Sequence, residues 1–205
     1  MTEHNHDHVH DRHTSHGQVQ RYFLEDWLAQ RRMNKVKPYV SGNKSVCDVG
    51  CGYRGRLLFT FSEYFTKGYG FDVAVDTTLN NNKVTLQAAD LNQHIPLPDN
   101  SVDVVTSLAV LEHLSDRTQH LREIYRILKP GGKLLLTTPT PRNKPLLEFL
   151  AFRLKVTDAT EIADHKCYLT GQDLRKILTE ANFIDNNITT QTWQLGLNNF
   201  VIAQK

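Results

Sequence analysis

Residues 45–58 read Ser-Val-Cys-Asp-Val-Gly-Cys-Gly-Tyr-Arg-Gly-Arg-Leu-Leu, and this stretch decides the fold. The apolar run at 46–49 predicts a short buried strand, and the apolar residues from 57 onward predict a helix. Between them lie glycines, which have no Cβ and tolerate positive φ, so backbone N–H groups can approach a ligand closely there. The stretch therefore predicts a strand, a glycine turn and a helix in immediate succession.

The glycines at 50, 52 and 55 have the G-x-G-x-x-G spacing of a dinucleotide site, but Asp48 stands two residues before the first of them. Taken alone, this loop is compatible with more than one cofactor. A dinucleotide oxidoreductase also needs a domain for its second substrate. A chain of 205 residues suits one α/β domain and leaves little room for such an addition.

Composition excludes several other classes of protein. The net charge of +2 with mixed signs gives no reason to expect nucleic acid or an anionic membrane as a partner. No apolar run approaches the roughly 20 residues that span a bilayer, so no stable membrane insertion is expected. The three cysteines, without a secretory signal, favour a cytoplasmic protein. Cys47 and Cys51 are interpreted as small apolar residues, with a redox or metal pair as the alternative.

The chain begins with a histidine-rich segment over residues 1–17, which has almost no apolar side chains and is predicted to be disordered. Its histidines either chelate metal weakly or simply form part of a solvated tail. From residue 18 to 37, apolar positions recur at helical spacing and predict an amphipathic helix, with Pro38, Ser41 and Gly42 as its end. Residues 18–205 are predicted to form a single domain.

Strands and helices are predicted to alternate through the rest of the domain. After the helix that follows the glycine turn, strands are expected at 67–71, 84–88, 102–107 and 133–138, with a helix at 116–128. A helix at 170–181 and strands at 183–193 and 199–203 complete the chain. Asp72 ends its strand about 22 residues after Gly50, where an acid can bind ribose hydroxyls. Asp90 and Leu91 follow the next strand and suit an adenine ring.

Five stretches together resemble the class I S-adenosylmethionine-dependent methyltransferases, particularly the group that acts on small molecules. They are Val-Cys-Asp-Val-Gly-Cys-Gly at 46–52, Gly-Phe-Asp at 70–72, Ala-Asp-Leu at 89–91, the run at 97–114 and the run at 121–136. The resemblance covers residues 45–139 and is weaker beyond them. It implies a Rossmann-like, doubly wound α/β fold of three αβα layers. The implied seven-stranded sheet has the order 3-2-1-4-5-7-6, and its last strand is antiparallel.

The resemblance also implies S-adenosylmethionine as cofactor and S-adenosylhomocysteine as product. The turn at 48–52 would receive the methionine part, Asp72 the ribose, and Asp90 with Leu91 the adenine, while residues 107–109 would line the pocket beside the sulfonium. The predicted cofactor-binding residues are Asp48, Gly50, Cys51, Gly52, Tyr53, Asp72, Val73, Asp90, Leu91, Ser107, Leu108 and Ala109. No metal ligands are predicted. Arg54 replaces the family's third glycine, so Tyr53 and Arg54 are expected to shape the carboxylate end differently.

Residues 140–169 form the least family-like part and are predicted to be an insert on the substrate side. Methyl transfer to a hydroxyl or amine requires removal of a proton, and imidazole titrates near neutral pH. His165 is the first candidate base and His113 the second; either is equally compatible with a structural role.

The leading hypothesis for function is methyl transfer to a small molecule. The expected acceptor atom is oxygen, on a quinone precursor, a sugar or a lipid-linked saccharide. The alternative is a non-catalytic S-adenosylmethionine-binding protein with a metal-chelating tail. The sequence does not set the oligomeric state.

Overall fold

A seven-stranded sheet organises the computed structural model, which describes residues 23–42, 44–142 and 168–205. The strands are β1 (Ser45–Val49), β2 (Lys67–Asp72), β3 (Val84–Ala88), β4 (Val102–Leu108), β5 (Leu128–Pro139), β6 (Ile188–Trp193) and β7 (Asn198–Gln204). Their order is β3-β2-β1-β4-β5-β7-β6. Strands β1 to β5 pair in parallel, and β7 runs antiparallel to both β5 and β6. The predicted sheet order and antiparallel last strand are confirmed.

Helices cover both faces of the sheet. They are α1 (Phe23–Val40), α2 (Arg56–Thr60), α3 (Arg117–Ile127) and α4 (Gly171–Glu180). The first two pack on one face through buried residues such as Val36 and Leu58. The other two pack on the opposite face through residues such as Ile124 and Leu178. Since successive residues of a strand point to opposite faces, the apolar strands supply both cores, and the predicted three-layer arrangement is confirmed.

Helix α1 passes through Pro38, which the sequence had suggested as its end. A proline removes one helical N–H and crowds the preceding turn, so its presence inside a helix requires compensation. Val36 and Val40, on either side of it, are both fully buried, and the ring of Tyr39 lies 6.3 Å from that of Phe200. Packing of this last turn against the sheet therefore offsets the cost of the proline, and the helix ends at Val40.

Two strands, β5 and β6, begin well away from the predicted residues, whereas the other strand boundaries agree to within one residue. Strand β5 begins at Leu128, because the Lys-Pro-Gly-Gly sequence after it is accommodated by a shift in the pairing of β4 with β5 between Val102 and Val104. Strand β6 begins at Ile188, preceded by a 3-10 turn at Asp185–Asn187. Aspartate and asparagine favour such turns, and Arg175 holds this one by donating to the carbonyls of Asp185 and Ile188.

The carboxyl ends of the parallel strands share one edge of the sheet, where ligands of this architecture bind. Val49, Asp72, Ala88 and Leu108 end their strands there. The histidine-rich segment at 1–17, the start of the predicted first helix and most of the predicted insert, including His165, lie outside the described residues. None of the helices in the described ranges combines the length and apolarity needed to cross a membrane.

Candidate functional site

The glycine turn lies on the end of β2 and against the loop that follows β4. Gly50 and Cys51 both donate their backbone N–H to the carbonyl of Phe71, at N···O distances of 2.8 and 3.2 Å. A Cβ on Gly50, whose φ is 79°, would lie 2.1 Å from Cγ2 of Val110, so glycine alone permits this approach. Gly52 has a φ of 70° and no heavy atom within 4 Å of its absent Cβ. That side of the turn is therefore open to a ligand.

The third glycine of the turn serves packing. Gly55 caps the start of α2 in the left-handed conformation, and a Cβ there would lie 2.6 Å from Cδ2 of Leu86. Its absence lets the helix approach the neighbouring strand closely. Tyr53 and Arg54, which precede it, are both exposed.

Asp72 links the glycine turn to the end of β2. Its Oδ2 accepts the N–H of Gly52 at 2.8 Å, and its Oδ1 accepts the N–H of Val73 at 2.7 Å. A carboxylate can accept about four hydrogen bonds, so each oxygen retains capacity for a ligand hydroxyl. The side chain is half-buried and Val73 is exposed. The structure thus places an oriented carboxylate beside the open glycine.

Asp48 lies beneath the same turn and is almost fully buried. Thr106, on the neighbouring strand β4, donates its hydroxyl to Oδ1 of Asp48 at 2.6 Å. Burial raises the pKa of Asp48 from 3.8 to about 7, the bond from Thr106 opposes this rise, and the nearby Asp72 adds to it. A cation bound at the turn would favour the ionised form of this carboxyl.

Asp90 and Leu91 lie next to Asp72, because the N–H of Ala89 donates to the carbonyl of Asp72 at 2.8 Å. Asp90 is exposed, and hydrogen bonds from Asn92, first its backbone N–H and then its side chain, lower the pKa of the Asp90 carboxyl. Leu91 is buried, with 5% of its surface exposed. An exposed acid and a buried apolar neighbour therefore lie beside the end of β2.

The end of β4 contributes a buried hydroxyl and an unusual backbone conformation. Ser107 is fully buried, and its Oγ has no hydrogen-bond partner among the described residues. Leu108 is half-buried, and Ala109 follows with a φ of 59°, in the left-handed region that disfavours a residue with a Cβ. The N–H of Ala109 donates to the carbonyl of Thr137 at 3.0 Å, which holds it there. Such local strain is found most often at functional sites.

Glu112 is a buried acid at this edge to which the sequence analysis assigned no role. It lies in the 3-10 turn Leu111–His113 with 1% of its surface exposed, and its Oε2 has no hydrogen-bond partner within the described part of the chain. Burial raises its pKa from 4.5 to about 7. The signal in the sequence was an acid inside an apolar run. His113 is half-buried beside it, while His165 is not among the described residues.

The two cysteines at the turn have the character of core residues. Both are buried and free, and Sγ of Cys51 lies 3.4 Å from the carbonyl oxygen of Gly52. Burial raises the pKa of both thiols, whereas a reactive thiol requires a lowered pKa. No cluster of three or more candidate metal ligands occurs within the described ranges. The arrangement supports the interpretation of Cys47 and Cys51 as apolar packing residues.

Comparison with known proteins shows similarity to methyltransferases. The family described as methyltransferase domain matches residues 17–185. A probable S-adenosylmethionine-dependent methyltransferase of Mycolicibacterium smegmatis is 32% identical over 131 residues, which cover 59% of this chain and 50% of that protein. A probable chloroplastic tocopherol O-methyltransferase of Oryza sativa is 31% identical over 110 residues, covering 49% of this chain and 30% of that protein. The chain thus spans half or less of the length of these two relatives.

A third relative and a solved structure are similar over more of the chain. The tRNA U34 carboxymethyltransferase of Campylobacter curvus is 31% identical over 208 residues, which cover 82% of this chain and 67% of that protein. The structure of an S-adenosylmethionine-dependent methyltransferase from Archaeoglobus fulgidus aligns with a TM-score of 0.66 and 20% identity. It covers 91% of this chain and all of that one, a likeness that concerns the fold.

Proposed function

The chain belongs to the class I S-adenosylmethionine-dependent methyltransferases, and from that premise we propose that it transfers the methyl group to an oxygen atom of a small-molecule acceptor. When bound, S-adenosylmethionine supplies an electrophilic methyl carbon on its sulfonium. The chain itself would bind and orient the two reactants and accept the proton that the acceptor releases.

The observation that carries the proposal is the contact between three separate strand ends. The N–H of Gly52 reaches Asp72 at 2.8 Å, and Gly50 packs against Val110 just beyond β4. An open glycine, a half-buried carboxylate and the hydroxyl of Ser107, which has no hydrogen-bond partner among the described residues, therefore share one edge of the sheet. These groups suit a cofactor with an amino-acid end, ribose hydroxyls and a cationic centre.

We assign the parts of the cofactor to this edge as follows. Residues 48–52, with Tyr53, would hold the methionine part. Asp72 and Val73 would lie at the ribose, and Asp90 with Leu91 at the adenine. The pocket beside the sulfonium would be lined by Ser107, Leu108 and Ala109.

The proposal keeps two histidines as candidate bases for the acceptor proton. His165 is the first because it lies within the predicted substrate-side insert, where a histidine often precedes the final helix in the family, and His113 is the second. Support for His113 is its place in the turn after β4, half-buried at the ligand edge. An acceptor hydroxyl held near either imidazole would lose its proton as the methyl carbon is attacked.

An oxygen acceptor is supported by the similarity to the tocopherol O-methyltransferase. A quinone precursor, a sugar and a lipid-linked saccharide all present a suitable hydroxyl. The net charge of +2 gives no general attraction to nucleic acid, although the Campylobacter relative is named for tRNA. We also propose a reducing, cytoplasmic location, which the buried free thiols of Cys47 and Cys51 support.

The binding part of the proposal is tested by calorimetric titration of S-adenosylhomocysteine into the wild-type chain and into Asp72→Asn. Asn keeps the shape but loses the charge and an acceptor for ribose hydroxyls, so we expect affinity to fall about tenfold or more. Asp185→Asn is the matched control, because that carboxylate lies far along the chain against Arg175. Absence of binding by the wild type, together with no effect of Asp72→Asn, would refute the proposal.

The transfer part is tested with labelled S-adenosylmethionine and extract separated into metabolite, lipid and RNA fractions. We expect label in the metabolite or lipid fraction, in a product that base treatment and mass spectrometry identify as a methyl ether or ester. Label in tRNA alone would contradict the small-molecule acceptor. Binding without any labelled product would favour the non-catalytic alternative.

A further inference from the structure

The segment between β3 and β4, which carries Asp90 and Leu91, has little regular structure. Within it the N–H of Gln93 donates to the carbonyl of Asp90 at 3.0 Å, and the N–H of Leu97 donates to the carbonyl of Ile95 at 2.7 Å. Neither a strand ladder nor a helix of the described chain contains these residues. Its conformation therefore depends on contacts made from outside.

Side chains of the next helix and its approach provide those contacts. Oδ1 of Asn92 accepts both the N–H and the hydroxyl of Ser115, at 2.9 and 2.8 Å. At the far end, Oε2 of Glu123 accepts the N–H of Ile95 at 3.0 Å. His120 lies between Ser115 and Glu123 in the chain, and its Nδ1 is 2.8 Å from the carbonyl oxygen of Leu91. His120 and Glu123 are three residues apart on α3 and so face the segment together.

His120 is the most deeply buried of these groups, with none of its surface exposed. Burial lowers its pKa from 6.5 to about 4, so the ring is neutral at neutral pH and carries one N–H. A carbonyl only accepts hydrogen bonds, and we infer that this proton is on Nδ1. Nε2 has no hydrogen-bond partner among the described residues. The bond to Leu91 is therefore the polar contact that accounts for a histidine at this position.

We propose that His120 is a positioning residue for the cofactor, whose bond to the Leu91 carbonyl fixes the loop that receives the adenine ring. This inference rests on the proposed function, since the adenine is assigned to Asp90 and Leu91 there. Without the donor, the buried carbonyl is left unpaired or turns toward water, because such groups are rarely tolerated without a partner. Either change moves the peptide that joins Leu91 to Asn92, whose N–H donates to Oδ1 of Asp90 at 3.0 Å, and with it the carboxylate that would meet the adenine amine.

The neighbouring contacts transmit the same constraint to Asp90. The side-chain amide of Asn92 donates to Oδ1 of Asp90 at 3.1 Å, while its oxygen is held by Ser115. The carboxylate is thus oriented by Asn92 in two ways, through its side-chain amide and through the N–H of the peptide that joins it to Leu91. We therefore expect the preference for adenine over a base that carries an oxygen in place of the amine to depend on His120, although the imidazole itself would not touch the base.

The test compares binding of S-adenosylhomocysteine with binding of its inosine analogue, which carries an oxygen in place of the adenine amine. His120→Leu removes the donor, while His120→Asn retains an amide N–H at the position of Nδ1. Leu178→Val is the control for a general loss of packing, since Leu178 is buried in the same apolar core but lies on α4, in neither the segment nor α3. All chains are titrated calorimetrically and their unfolding is measured in urea.

We expect His120→Leu to bind S-adenosylhomocysteine about tenfold more weakly and to lose most of its preference for adenine. His120→Asn should recover the preference, and Leu178→Val should retain it whatever its stability. Hydrogen exchange of amides 91–97 in the ligand-free chain should quicken in His120→Leu alone. If His120→Leu does not fold, Ser115→Ala provides the same comparison, with a smaller loss of preference.

Three results would overturn the inference. They are an unchanged preference in His120→Leu, an equal loss of preference in Leu178→Val, and failure of His120→Asn to restore it. A wild-type chain that binds neither compound would instead refute the proposed function.

Discussion

The buried carboxyl of Asp48 makes a quantitative prediction for Asp48→Asn. Asn keeps the size of the side chain and an oxygen that can accept the hydroxyl of Thr106, which bonds to Oδ1 at 2.6 Å. It removes the ionisation that burial disfavours. Burial is the main cause that raises the pKa of Asp48 from 3.8 to about 7, and the charge of Asp72 contributes further.

The sign and size of the effect follow from proton linkage. A group whose pKa is higher in the folded state stabilises the fold below its unfolded pKa, and that stability is lost as pH rises through the folded value. A tenfold change in a proton equilibrium corresponds to about 1.4 kcal/mol. The rise from 3.8 to about 7 therefore removes roughly 4 kcal/mol of stability between about pH 4 and about pH 8.

The assay is urea unfolding of the wild type and Asp48→Asn at several pH values across that window. Other buried groups, such as Glu112 and His120, titrate in both chains and cancel in the difference. We expect the free energy of unfolding of Asp48→Asn, relative to wild type, to increase by about 4 kcal/mol from acid to alkaline pH. Any constant offset from the substitution itself does not affect this slope.

Asp103→Asn is the matched control at the opposite end of β4. Burial tends to raise the pKa of Asp103, but hydrogen bonds from Lys129 and Ser45 outweigh it and lower the pKa. This carboxylate therefore stabilises the fold at neutral pH, and its replacement should destabilise by a nearly constant amount across the window. That loss should shrink only as pH falls below about 4. A flat difference between wild type and Asp48→Asn over the whole window would show that the Asp48 carboxyl is solvated, and would refute the reasoning.

Three further predictions concern the loops at the same edge. Ala109→Gly should raise the free energy of unfolding by up to about 1 kcal/mol, because glycine relieves the left-handed conformation; a lower melting temperature would contradict this. Gly50→Ala should lower it by about 2 kcal/mol or more, since the new Cβ would lie 2.1 Å from Cγ2 of Val110. The loss should be smaller when Gly50→Ala is made in the Val110→Ala chain, because the Cγ2 methyl of Val110 is then absent. An equal loss in both chains, measured by urea unfolding, would show that contact with Val110 is not its cause. For Glu112→Gln, the free energy of unfolding relative to wild type should increase by about 3 kcal/mol between about pH 4 and about pH 8, because burial raises the pKa of Glu112 to about 7. A difference in melting temperature that does not change with pH would contradict this prediction.

Most of the fold was predictable because its signals are local. The strand at Val84–Ala88 was predicted with the bounds it has, and the glycine turn lies where the spacing placed it. The acids Asp72 and Asp90 follow their strands as expected, since the end of a parallel strand is also a position in the sequence. Periodicity and turn residues are sufficient for this level of description.

Other features depend on partners that are distant in sequence. Helix α1 continues through Pro38 because Val40 is buried against the sheet, which no local rule predicts. The period of the apolar run around Glu112 does not reveal that the acid itself points inward. His120 was only one residue of a predicted helix, since its partner Leu91 lies 29 positions earlier.

The amino-acid sequence alone determined the class of fold, the order of the elements and the places of Asp72 and Asp90 at or just after strand ends, because hydrophobic periodicity and glycine turns act over a few residues. Only the tertiary structure decided which of those residues are buried, oriented or strained. Asp48 and Glu112 differ from ordinary surface acids solely through the neighbours that remove water from them. Their pKa values, like the bond between His120 and the carbonyl of Leu91, are properties of packing between elements that the sequence separates.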